Sequence, residues 1–145
     1  DTDFYDLAKE VATEAINQFL MIKDCKEMYV VACFCRLYDY IAEAGLEAEF
    51  PMEAFEKRLK EVVFQTITQD VNLYITMWDV NICRPSTFLR AKDSMYYEMN
   101  KNIAEFELEF IAKTQLGDGS WEVTWEWGKS PRSSSRIHPA TWSRK

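Results

Sequence analysis

The chain has 145 residues and a mass of 17.1 kDa, with 17 Lys and Arg against 24 Asp and Glu, a formal net charge of −7 and a pI near 4.8. Hydrophobic residues make up 48% and aromatics 14%, with four Gly and four Pro, so the chain can build a packed core and is neither disordered nor fibrous. The acidic balance excludes an ordinary nucleic-acid binder, because neutralising phosphates takes a basic patch and the body of the chain has none.

The first segment, about Phe4 to Ile22, places Phe4, Leu7, Ala8, Val11, Ala12, Ala15, Ile16, Phe19 and Leu20 at the spacing of one helical face, with Asp6, Lys9, Glu10 and Glu14 on the other. The second, about Glu27 to Ala44, differs in kind. Its run Tyr29 to Cys35 is apolar all the way round, which predicts burial on every side, and Gly45 stands where a C-cap is expected. A third helix opens near Pro51 and runs to about Thr68, with Met52, Phe55, Leu59, Val62, Val63 and Thr66 inward. The stretch Asp70 to Phe88 is less regular, a short helical piece through Tyr74 and Trp78 that stops before Pro85. A fourth long helix spans about Ser94 to Thr114, with Ser94 as N-cap and Tyr96, Met99, Ile103, Phe106 and Phe110 as its stripe. The fold class is all-α, built of antiparallel helical hairpins. Both a plain bundle and a two-layer arrangement fit these stripes.

Cys25, Cys33, Cys35 and Cys83 do not form a disulfide framework or a zinc spacing, since i,i+2 side chains on a helix diverge; they read as reduced core residues. With one histidine, His138, and no CxxC, HExxH or ExxH, a metal centre is not expected, and no cofactor is implied. No apolar stretch reaches the roughly 18–20 residues that cross a bilayer, and the acidic N-terminal stretch lacks the make-up of a signal peptide. A soluble, cytoplasmic chain is the expectation.

After the fourth helix the chain reads Phe110-Ile111-Ala112-Lys113-Thr114-Gln115-Leu116-Gly117-Asp118-Gly119-Ser120-Trp121. This is a helix end followed by a Gly-rich turn, which brings an amide and an indole close together. Such a pair can satisfy open helix-end groups and tie two helix termini together. The positions Phe110, Ile111, Gln115, Gly119 and Trp121 resemble the QW repeat of the squalene-hopene cyclases and related terpenoid cyclases. The likeness fails upstream, where Glu105 to Glu109 replace the basic and small residues usual in the repeat. More loosely, Trp78, Arg84, Pro85, Phe88 and the segment Ser94 to Gly128 are similar to the closing region of prenyltransferase and squalene-oxidase repeat proteins.

The resemblance implies an α/α toroid of about twelve helices, of which residues 1-128 would be a partial, C-terminal-region fragment. It also implies that the second helix lines a hydrophobic cavity for an apolar isoprenoid-type ligand, with Phe34, Cys35 and Tyr38 as lining. The Asp-rich acid motif of the cyclases has no counterpart, and Glu105, Glu107 and Glu109 are spaced as an exposed helix surface. The Asp, Cys and His zinc set of the protein prenyltransferases cannot be assembled either. No catalytic residue is carried over, and catalysis by this chain alone is not expected.

Trp121, Trp125 and Trp127 alternate as on one face of a strand, a row that packs under the helix ends or, as the lesser alternative, stacks on a sugar or cation. Asp118, Ser120 and Glu122 are too short a series for a calcium loop. From Lys129 onward there are five basic residues and no acid, which leaves residues 1-128 with 12 basic groups against all 24 acids, a net of −12. The 129-145 tail, rich in Ser and Arg, reads as a disordered arm or as a frame-shifted or cloning-derived ending, which the coding DNA decides. Besides a piece of a toroid, the sequence fits a helical protein-protein interaction module, and self-association follows from either.

Overall fold

Residues 2–76 and 82–121 are described by the computed structural model, and all regular structure among them is helical: α1 (Thr2–Met21), α2 (Met28–Glu43), α3 (Met52–Thr66), α4 (Val71–Thr76) and α5 (Tyr97–Thr114). Short 3-10 turns at Glu47–Glu49 and Pro85–Thr87 join them. No helix among the described residues is long and apolar enough to cross a membrane.

The third element is the hub. α3 turns Phe55, Leu59, Val62, Val63 and Thr66 inward and packs against α1, α2 and α5. Around Phe55 the aromatic rings interlock: Phe19 stacks on Phe34 at 4.2 Å between centroids, and Phe19, Phe34 and Tyr38 meet Phe55 edge-on at 5.9, 6.3 and 5.8 Å. Edge-on and offset pairs of this kind add about 0.5–1.5 kcal/mol each beyond their buried area.

The boundaries of α2 are set by local chemistry. Glu27 is its N-cap, the carboxylate accepting from the backbone N–H groups of Tyr29 (3.3 Å) and Val30 (2.8 Å). At the other end Leu46 N–H donates to the Ile41 carbonyl (3.1 Å) and Gly45 N–H to that of Ala42 (3.0 Å), a Schellman closure with Gly45 at φ 69° and Ile41 and Leu46 both packed in the core. The glycine thus sits one position beyond the capping residue, Ala44.

Three expectations are corrected. The apolar stripe of α1 is only half used: Ile16 and Phe19 are buried, while Phe4, Leu7 and Val11 are 73%, 58% and 58% exposed. The side chains of Phe4, Leu7 and Val11 find no cover among the described residues, while Tyr5 and Lys9 between them reach Glu49. Helix α2 is not buried on every side either. It buries Val31, Cys35 and Ile41 but exposes Tyr29, Val30, Cys33 and Tyr40, so Cys33 is no core residue. Finally, the α5 stripe holds only in part: Tyr96 and Ile103 are buried and Phe106 packs against the core, but Met99 is exposed, and Tyr97, Asn100, Ala104 and Glu107 are buried beside them.

The broader buried face of α5 has a physical reason in two polar side chains that find partners inside. Asn100 donates to the Tyr96 carbonyl (2.9 Å) and accepts from the Gln69 amide (3.1 Å), tying α5 to the end of α3. Glu107, expected on an exposed surface, is 3% exposed and accepts from Ser86 N–H (2.9 Å) and Ser86 Oγ (2.7 Å). Its carboxylate caps the Pro85–Thr87 turn from the side. Ser94 does not cap α5 directly. Its carbonyl accepts from Tyr97 N–H (2.9 Å), and Tyr96 occupies the cap position.

Candidate functional site

Two places concentrate chemistry, the turn that leaves α5 and a cleft beside α2. At the turn, the last carbonyls of α5 lack helical partners, as at any helix end. The indole N–H of Trp121 donates to one of them, the Ile111 carbonyl, at 2.8 Å. The chain gets back there through a tight reversal in which Gly119 takes φ 84°, Gly119 N–H donates to the Leu116 carbonyl (2.9 Å) and Leu116 N–H to that of Ser120 (2.8 Å). The Gln115 side-chain amide spans the reversal and donates to the Gly119 carbonyl (2.9 Å).

Asp118 tightens the tip, accepting from Ser120 N–H (3.0 Å) and Oγ (2.6 Å), which holds its carboxyl below the usual carboxylate range. Ile111, Gln115, Gly119 and Trp121 therefore meet in one hydrogen-bonded unit, and Phe110 lies one residue upstream, stacked on Phe106 at 6.3 Å. The division of labour differs from the expectation: the indole, not the amide, reaches the helix-end carbonyl, and the bonds described close α5 on its own exit turn. Trp125, Trp127, Glu122 and the whole 129-145 tail lie outside the described residues.

The cleft has a volume of about 700 Å³ and is walled by α2, by Glu56 of α3 and by the segment from Thr87 to Tyr96. Of the three expected lining residues it contains Cys35 and Tyr38; Phe34 points instead into the Phe19–Phe55 core. Tyr38 Oη donates to Glu56 Oε2 (3.0 Å), and Lys60 Nζ reaches the other oxygen of the same carboxylate. Those two bonds, the lysine's first, hold the Glu56 carboxyl below the usual range, while burial and then Glu56 hold the Tyr38 phenol above it.

At the inner end of the cleft Tyr96 is 5% exposed, and its hydroxyl is buried without a hydrogen-bond partner of proper geometry. The Cys35 thiol lies beside it, a weak acceptor at best. Burial pushes the Cys35 thiol up to about 11 and the Tyr96 phenol far above its ordinary value, so both keep their protons at neutral pH. The mouth carries Arg36 and Asp39 on α2 and Arg90 and Asp93 opposite.

Sequence reasoning placed Tyr96 on an apolar stripe but not at a cleft, and missed these four charges. The signal was present in the spacing, an Arg and an Asp three apart on an otherwise apolar helix and again before α5. Among the described residues no group of three or more His, Cys, Asp or Glu is arranged to hold a metal ion. Compared with family models, curated proteins and solved structures, the chain gives no match.

Proposed function

We propose that the chain is a structural segment of a terpenoid-cyclase-like helical repeat, part of an α/α toroid, in which Gln115, Gly119 and Trp121 form a QW-type clamp. The reading is carried by one observation, the Trp121 indole bound to the Ile111 carbonyl at 2.8 Å across a turn held by the Gln115 amide. A helix end closed this way is fixed in direction, which is what a stack of repeated helices needs from each exit. The role is architectural. Among the described residues the acids at the cleft, Asp39, Asp93 and Glu56, are exposed or, like Glu56, already hydrogen-bonded.

Incubation of the chain with squalene or with an isoprenoid diphosphate is expected to return the substrate unchanged, by chromatography of the extract. Turnover would overturn the architectural reading and make the cleft a catalytic site. A second reading, a helical interaction module, is favoured by the exposed Phe4, Leu7 and Val11 of α1, a face that a partner or a second copy could cover.

A further inference from the structure

The exposed row of α1 runs beside a groove, and the two make one surface. Phe4, Leu7 and Val11 are each more than half exposed and recur at i, i+3 and i+7, so they form one line along the helix. Ala8, four residues beyond Phe4 and three before Val11, joins this line to a groove of about 200 Å³. Its walls are Tyr5 of α1, Tyr40 and Ile41 of α2, and Leu46 and Phe50 of the connection to α3. A line for apolar anchors with a slot at its side is what helix-in-groove recognition uses.

The flank of the row adds a second, independent feature. Asp3, Glu10 and Glu14 stand three or four positions from Leu7 or Val11, are exposed, and are joined by no ion pair to another described residue. The single cation of α1, Lys9, is engaged by Glu49. Acids on the flank repel an anionic lipid surface, which Lys and Arg would meet. The same face of a second copy brings the same three acids and nothing to offset them.

We propose that this face docks a basic amphipathic helix of a protein partner. The partner's apolar anchors lie on Phe4, Leu7 and Val11, one side chain enters the groove beside Ala8, and its Lys or Arg residues stand against Asp3, Glu10 and Glu14. The proposal rests on the interaction-module reading and names the partner of that face; it is independent of the clamp.

The test is a fluorescence anisotropy titration of the full chain into a labelled synthetic helical peptide, with Leu at i, i+3, i+4 and i+7 and Lys on the flanks. Saturable binding is expected, weaker by about tenfold at high salt. The same peptide with Glu in place of every Lys should bind about tenfold more weakly or worse. On the ¹⁵N-labelled chain, the Lys peptide should shift backbone amides of residues 3–15 and 40–41.

Two paired variants locate the site. Leu7→Gln with Val11→Gln, and separately Glu10→Gln with Glu14→Gln, should each weaken the Lys peptide by about tenfold, with the melting temperature unchanged because all four side chains are exposed. Glu53→Gln with Glu98→Gln removes the same charge from exposed positions on α3 and α5 and should leave binding within about twofold. An equal loss in that control would show attraction to net charge alone and overturn the proposal. Equal binding of the Glu and Lys peptides would overturn it while leaving the interaction-module reading in place. No saturable binding of either peptide would also overturn it, and if sedimentation then shows only monomer, the interaction-module reading falls with it.

Discussion

At the scale of single residues, burial sorts the four cysteines into two chemical kinds. Cys25, Cys35 and Cys83 are 8% exposed each, whereas Cys33 faces solvent on α2. Burial raises the Cys35 and Cys83 thiols to about 11, from an ordinary value of 9.0. Below pH 9 they are protonated in both folded and unfolded chains, so nothing is lost. Between pH 9 and 11 the unfolded chain releases these protons and the folded one keeps them, so stability must fall as pH rises. Thermal unfolding in reductant should show the melting temperature dropping across that window, and native thiol labelling at pH 8 should modify one cysteine, Cys33. Labelling of three or four would contradict the burial. Only part of this distinction is legible in the sequence: an apolar run cannot say which side of a helix is covered, and Cys33 and Cys35, two residues apart, lie on opposite sides.

At the scale of elements, the helices were legible because their apolar periodicity is long. α1, α3 and α5 lie within a few residues of where the pattern puts them, and the face of α3 is the expected one. The buried face of α5 was legible only in part, at Tyr96, Ile103 and Phe106. Periodicity counts apolar side chains, but Asn100 and Glu107 are buried because Gln69 and Ser86, distant in sequence, satisfy them. Glu107→Gln keeps the shape but replaces one acceptor with a donor that faces Ser86. We expect it to lower stability by about 1–3 kcal/mol. Ser86→Ala should cost about 1 kcal/mol, and less in the Glu107→Gln background, since both changes break one contact. Chemical denaturation of the four proteins of this cycle checks it, and strict additivity would show that the Ser86–Glu107 pair contributes nothing.

At the scale of the whole molecule, the all-α class was evident from the pattern, while the candidate site was legible only where it is local. The clamp residues lie within twelve positions and share a turn, so their spacing predicted their meeting. The cleft joins α2, α3 and the segment before α5, and no short-range pattern encodes that junction; the spacing puts Tyr96 on a buried stripe without showing that it borders a cleft, and Phe34 is misplaced by it. The exposed stripe Phe4, Leu7 and Val11 belongs to the same scale, being half of an apolar face whose other half is core. If another helix or a second copy covers it, the double change Leu7→Glu with Val11→Glu should weaken self-association in sedimentation while leaving the stability within about 0.5 kcal/mol of the parent, as for surface sites. Unaltered association would mean that this face is not the one used.

The claim on which the architectural reading depends is that the Trp121 indole holds the end of α5. Trp121→Phe keeps an aromatic ring and deletes the N–H that reaches Ile111. Hydrogen exchange followed residue by residue in the two proteins measures the effect directly. A loss of protection confined to the last turn of α5 and its exit loop, residues 111–120, is expected, with a stability decrease of about 1 kcal/mol. Identical exchange in the two proteins across that segment would contradict the claim.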